Sequence, residues 1–154
     1  GYVKLVVSQN VDGLHLRSGL PRQALAELHG NIFMEKCEKC GKEYFREFDV
    51  GGMSFQPTGR MCEVARCGGR LLDQILDWED ALPEDQLCRA EDELRTADVS
   101  MCLGTSLRIK PASDLPLLAL RKDKATGKES GTMVICNLQS TPKDRRAAIK
   151  ARTS

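Results

Sequence analysis

Cys37-x2-Cys40 and Cys62-x4-Cys67 place four thiols in two close pairs, with twenty-one residues between them. Zinc takes four soft ligands in a tetrahedron, and two short knuckles deliver two thiolates each. Disulfides or scattered core thiols also use cysteine. The paired spacing, the Lys, Glu and Gly residues around the pairs, and the further cysteines elsewhere point instead to metal. All four thiols are committed as ligands, which leaves no position for water and makes the zinc structural. His29 stands just ahead, in Glu27-Leu28-His29-Gly30-Asn31. An imidazole titrates near neutrality and can act as a general base, although taken singly His29 also reads as a capping or core histidine. His15, in Asp12-Gly13-Leu14-His15, reads as a packing or hydrogen-bonding residue.

The elements that must hold these groups follow from size and pattern. The chain has 154 residues, 41% hydrophobic and 5% aromatic, with a formal charge of +1. That is enough for one ordinary domain with a small insert. The charge gives no strong signal for nucleic acid or membrane surfaces, and no apolar run reaches the roughly 18 residues a bilayer span needs. The opening residues read as a strand, not a signal peptide. Cys88, Cys102 and Cys136 are left as free thiols, the last two inside apolar runs, which suits a reducing cytosolic or nuclear compartment.

Residues 4–10 form an apolar run ending in polar residues, the pattern of a strand buried on both faces of a parallel sheet. Residues 21–28 read as a short helix with Pro21 in its first turn. From Glu35 to about Asp73, glycines, cysteines and charges dominate, with strand candidates at 32–35 and 43–46. Residues 83–96 are helical in pattern, with Leu87, Ala90 and Leu94 on one face. Residues 98–104 and 132–139 read as two more buried strands, 113–120 as a helix and 121–131 as a polar, flexible connection. The basic tail, 142–154, reads as an amphipathic helix or a frayed end. Alternation of strands and helices predicts an α/β fold with a parallel sheet. Ligands of such sheets lie at the carboxyl ends of strands, which here carry Gln9-Asn10, Gly104-Thr105-Ser106 and Asn137-Leu138-Gln139. Each has a plainer reading: Asn10 and Asp12 as turn formers beside Gly13, Thr105 and Ser106 as a helix cap, Trp78 as a core or boundary anchor.

Their order along the chain resembles the sirtuins, the NAD-dependent protein deacylases. The matching stretches are Ser8-Gln9-Asn10-Val11-Asp12-Gly13-Leu14-His15, Glu27-Leu28-His29-Gly30-Asn31, the four cysteines, Gly104-Thr105-Ser106-Leu107 and Asn137-Leu138-Gln139. Ile75-Leu76-Asp77-Trp78-Glu79-Asp80-Ala81-Leu82-Pro83 resembles the nuclear, chromatin-associated branch containing the sixth mammalian sirtuin and, less closely, the seventh. The resemblance implies an incomplete Rossmann-like parallel sheet with helices on both faces, over residues 1–34 and 74–154, and an inserted structural zinc module over 35–73.

It further implies NAD+ as co-substrate and zinc as structural ion, with Cys37, Cys40, Cys62 and Cys67 as the zinc ligands. The acyl-lysine oxygen attacks the carbon bearing nicotinamide, nicotinamide leaves, and a histidine matched by His29 acts as base on a ribose hydroxyl. The products are free lysine and an acylated ADP-ribose. Gln9, Asn10 and Asp12 match the nicotinamide and ribose pocket. Gly104, Thr105, Ser106, Asn137, Leu138 and Gln139 match the adenosine side, and Asp77 and Trp78 the acyl-lysine tunnel and the strand edge that takes the peptide. The implied partners are acylated lysines of histone tails or other proteins and chromatin, with no membrane, in the nucleus. The glycine-rich phosphate turn, the first strand and the closing segment of the family pattern are missing, and the second cysteine pair is tighter than in the nearest branch. The expectation is therefore a chain truncated at both ends, acting alternatively as a catalytically impaired, zinc-stabilised interaction module or a mono-ADP-ribosyltransferase.

Overall fold

The computed structural model describes residues 1–122 and 129–152. The chain divides into two compact units, Gly1–Leu87 and Cys88–Ser154.

In the first unit, β1 (Val6–Ser8) pairs in parallel with β2 (Leu25–Glu27), Val6 opposite Leu25 and Ser8 opposite Glu27. A short helix, α1 (Leu14–Arg17), lies between them. The expected helix at 21–28 is not formed. Pro21 opens only one 3-10 turn, Arg22–Ala24, and the chain then extends into β2. Leu25 and Ala26 are fully buried there, so burial against β1 outweighs the helical spacing of the apolar residues.

β3 (Gly30–Cys37), β4 (Glu43–Phe45), β5 (Pro57–Met61) and β6 (Arg70–Ile75) form an antiparallel sheet in the order β4-β3-β6-β5. Both short strand candidates, 32–35 and 43–46, fall in it. At its centre the fully buried Glu35 carboxylate accepts from Arg46 Nε at 2.8 Å, Arg60 Nε at 2.6 Å and the Thr58 hydroxyl. Burial works against ionisation of Glu35, but these three donors outweigh it and hold the carboxyl below its usual range.

Helix α2 (Glu84–Thr96) matches the reading of residues 83–96. Glu84 and Asp85 occupy the first turn, where the helix dipole favours anions. Ala90 is fully buried.

In the second unit, β7 (Val99–Leu103), β10 (Thr132–Cys136) and β11 (Ile149–Ala151) form a parallel sheet in the order β11-β10-β7. A two-stranded ribbon, β8 (Arg121–Lys122) with β9 (Glu129–Ser130), stands at the ends of the connection read as polar and flexible. Residues 123–128 of that connection lie outside the described residues. Cys102, Leu107, Met133 and Ile135 make the core, with Leu117 and Leu120 packed on it.

Three readings change in this unit. The segment 113–120 is a 3-10 helix, Ala112–Ala119, because Pro116 inside it has no amide to donate to an α-helical ladder. The tail forms a 3-10 turn, Asp144–Arg146, and then β11, since pairing with β10 satisfies backbone groups that a frayed end would leave to water; residues 153–154 lie outside the described residues. β7 is not buried on both faces but alternates: Ser100 and Cys102 point inward, while Val99, Met101 and Leu103 are exposed. Among the described residues, no helix is long and apolar enough to cross a membrane.

Candidate functional site

The four cysteines converge. Their Sγ atoms all lie within 4.8 Å of one another, with Cys37 to Cys67 at 3.7 Å and Cys40 to Cys62 at 3.6 Å. A disulfide needs about 2.05 Å between sulfurs, and all seven cysteines are free. A zinc tetrathiolate with Zn–S bonds of about 2.3 Å has sulfur–sulfur edges of about 3.8 Å, so the cluster fits a zinc ion closely.

Local turns build each knuckle. The Cys37 amide donates to the Lys42 carbonyl and Gly41 N–H to the Cys37 carbonyl, both at 2.9 Å. This leaves the amides of Lys39 and Cys40 aimed at Cys37 Sγ, at 3.4 and 3.5 Å. In the second knuckle Cys62 N–H donates to Gly69 O at 2.8 Å and Cys67 N–H to Val64 O at 3.0 Å. Gly69 must lack a side chain, because a Cβ would stand 2.6 Å from Cys37 Sγ. The knuckles are tied together by Arg70, whose guanidinium grips Glu38 at 2.8 and 2.7 Å and holds its carboxyl down to about 2.

Without an ion, four adjacent thiols share protons unequally. The Tyr44 hydroxyl draws the Cys62 thiol down to about 6, whereas at Cys67 burial and the neighbouring thiols outweigh the Gly69 amide and push the thiol up to about 12. Cys62 is therefore ionised more readily than Cys67. Zinc requires thiolates, so binding should release protons, but fewer than four per ion, and affinity should climb as pH rises. Calorimetric titration in buffers of different ionisation heat measures the count.

A second cluster lies at the carboxyl ends of β1 and β2. His29 Nδ1 is 3.1 Å from the Gln9 carbonyl oxygen. A carbonyl only accepts, so Nδ1 is the donor here, and in the neutral ring Nε2 keeps its lone pair. Asn10 N–H donates to Ser8 Oγ at 3.1 Å, and Asp12 Oδ1 accepts the Leu14 amide at 3.1 Å at the start of α1. Gly13 has a φ of 63°, and a Cβ there would press on Phe33 and Asn31. Two residues that carried no role in the sequence reading brace this turn. Asn31, 1% exposed, donates to Glu27 Oε1 at 2.7 Å and accepts the Phe33 amide at 2.9 Å. Burial raises the Glu27 carboxyl, against the Asn31 hydrogen bond. A buried polar pair at two residues before and two after His29 was the available signal. Gly30, φ 87°, meets Gln74 so closely that a Cβ would overlap the carbonyl oxygen. Gly30→Ala should destabilise the fold by roughly 3 kcal/mol or more, measured by chemical denaturation.

Asp77 and Trp78 follow β6 on the surface. Asp77 accepts the Trp78 amide at 2.7 Å and donates its own amide to Asp80 at 2.8 Å, a turn that leaves the indole 89% exposed.

In the second unit, Gly104, Cys136, Asn137, Leu138 and Ala151 line a cavity of about 410 Å³ at the carboxyl ends of β7, β10 and β11. Gly104 N–H donates to Cys136 O at 3.0 Å, joining the two strand ends. Asn137 Nδ2 donates to the Gln139 carbonyl at 2.9 Å, and Thr105 Oγ1 accepts the Leu107 amide at 3.3 Å. Gly104, Asn137 and Leu138 thus share one cavity, whose lining does not include Thr105, Ser106 or Gln139.

Parallel strands with polar carboxyl ends and an inserted four-cysteine lobe define an α/β protein of Rossmann-like build. The Sir2 family model matches residues 1–111, and the chain belongs to the Sir2 family. It is 52% identical over 149 residues to the NAD-dependent protein deacetylase SRT1 of Arabidopsis thaliana, covering 97% of this chain and 30% of that protein. It is 43% identical over 154 residues to the NAD-dependent protein deacetylase Sirt6 of Drosophila melanogaster, covering 96% of this chain and 46% of that protein. Among solved structures, a Sir2 in complex with an inhibitor, 2'-O-acetyl-ADP-ribose and a deacetylated p53 peptide matches with TM-score 0.64 and 32% identity, over 97% of this chain and 58% of that one. The chain therefore spans less than half the length of these two curated relatives.

Proposed function

We propose that this protein is an NAD-dependent protein-lysine deacylase in which His29 is the base. The observation that supports this most directly is the His29 tautomer: Gln9 O holds the proton on Nδ1, and Nε2 is left to accept one. NAD, when bound, supplies the electrophilic sugar carbon that takes the acyl oxygen as nicotinamide departs. The chain's own residues do the rest. Nε2 of His29 takes a proton from a sugar hydroxyl. Gln9, Asn10 and Asp12 are assigned to the nicotinamide and ribose part of NAD, with Asp12 fixed by the turn at Gly13. Gly104, Thr105, Ser106, Asn137, Leu138 and Gln139 hold the adenosine half, the small Gly104 and the Asn137 amide lying beside the cavity at the strand ends. Asp77 and Trp78 receive the acyl-lysine, the exposed indole covering its aliphatic stem.

In this reading Cys37, Cys40, Cys62 and Cys67 hold a structural zinc. Residues 35–73 form the zinc module and residues 1–34 and 74–154 the partial Rossmann-like domain, with β3 and β6 running across both boundaries as one antiparallel pair. The similarity to NAD-dependent protein deacetylases, and to a Sir2 holding 2'-O-acetyl-ADP-ribose and a deacetylated peptide, supports NAD and acetylated protein substrates; histone tails as substrate, chromatin as setting and the nucleus as location belong to the proposal. The test is NAD-dependent deacetylation of an acetylated histone peptide with matched release of nicotinamide. Nicotinamide release with ADP-ribose appearing on protein, and no deacetylated peptide, would replace this reading with ADP-ribosyl transfer.

A further inference from the structure

Tyr44 lies on β4 in the small apolar cluster of Cys37 and Leu71, with Cys62 and Cys67 packed against it, and is 7% exposed. Its hydroxyl is 3.1 Å from Cys62 Sγ. The same oxygen accepts the Glu63 amide at 2.9 Å. A zinc-bound Cys62 is a thiolate with no proton to give, so in the metal centre the phenol is the donor and the sulfur the acceptor. One side chain therefore grips the second knuckle at two adjacent points, a ligand sulfur and the amide that follows it.

Two cations flank the ring, Lys42 Nζ at 5.0 Å and the Arg46 guanidinium at 4.9 Å from its centroid. Arg46, just after β4, also reaches Glu63 Oε1 at 2.9 Å, so the residue after Cys62 is held by backbone and side chain alike. A zinc ion with four thiolates carries two net negative charges. A hydroxyl donor and nearby cations disperse that charge and orient the lone pairs, as hydrogen bonds to metal ligands generally do.

We propose that Tyr44 is a positioning residue for the metal centre: its hydroxyl fixes the Cys62 thiolate and sets how tightly the centre holds its ion. The inference rests on the zinc reading above and adds to it a residue that is not itself a ligand. Neither the cysteine spacing nor a count of thiols points to it.

Tyr44→Phe keeps the ring, its packing and its cations and removes only the hydroxyl. Competition with a chromogenic chelator should show a zinc dissociation constant raised by about 10- to 100-fold. In the cobalt(II)-loaded protein, the thiolate-to-metal charge-transfer band should move, because the energy of a sulfur lone pair responds to the hydrogen bond it accepts; a merely structural role for Tyr44 would leave that band in place. In the wild-type chain loaded with NMR-active cadmium, the Tyr44 hydroxyl proton should show scalar coupling to the metal, a readout that stands even if the variant fails to fold. Zinc affinity within twofold of wild type and an unmoved cobalt band in Tyr44→Phe, or no coupling in the cadmium-loaded wild type, would overturn the role of Tyr44 while leaving the metal centre intact. Absence of stoichiometric zinc from wild type would instead overturn the zinc reading itself.

Discussion

Removing the metal should unfold the sheet that carries it. Treatment with a strong chelator, or Cys37→Ser, is expected to abolish zinc binding and open residues 35–73 to proteases, with new cleavage between the two knuckles. The reason is the size of the core. Its buried cluster consists of Cys37, Tyr44 and Leu71, and the side chains packed against it are Cys62 and Cys67. Three of these five residues are the proposed ligands, so without the ion the lobe loses the centre of its own core. An apolar cluster this small cannot outweigh the chain entropy of some forty residues, whereas a structural zinc contributes on the order of 10 kcal/mol of binding free energy to folding. The Glu35 network does not substitute for it. A buried carboxylate held by two arginines gives back most of its Coulombic gain as desolvation. Cys37 is the most sensitive position, being buried and receiving the amides of Lys39 and Cys40. A proteolysis pattern unchanged after complete chelation would show that the lobe stands without metal.

The parts of this architecture legible in the sequence are those in which local spacing and burial agree. The cysteine pairs, α2 and the apolar strand β10 each carry their signal within a few residues. Residues 21–28 failed that test because Leu25 and Ala26 fit a helix face as well as a strand, and their state is decided by their partners in β1, nineteen residues earlier in the chain. The tail failed for the same reason: Ile149 becomes a strand residue only through Val134, its partner in β10. In the site, the thiols and His29 stood out by residue type, whereas Glu27, Asn31 and Tyr44 did not. Their roles depend on a partner's position in space. Nothing in a tyrosine four residues past Cys40 announces that its hydroxyl reaches a cysteine eighteen residues further on. The residues proposed to face the nucleotide rest on family resemblance more than on chemistry, since amides and small residues after strands are common turn formers.

His29→Ala should separate binding from proton transfer. Loss of a positioned general base costs about 10²- to 10⁴-fold in rate, so deacylated product should fall by that factor at saturating NAD and peptide. Zinc content should be unchanged, because His29 lies outside the cysteine cluster and touches the Gln9 backbone, not a thiol. Fold stability should change little for the same reason: the lost contact is one half-buried hydrogen bond, worth about 1 kcal/mol. The base acts after nicotinamide leaves in the proposed sequence. Exchange of labelled nicotinamide into NAD should therefore survive in the variant even as product formation collapses. His29→Tyr fills the same space with a group that is protonated at neutral pH and cannot take a proton there, so it should match alanine in product loss. Parallel loss of exchange and product would move His29 from the base role to NAD binding. Retention of full product formation by either variant would remove it from the chemistry and leave the polar residues after β1 as the place to look for the base.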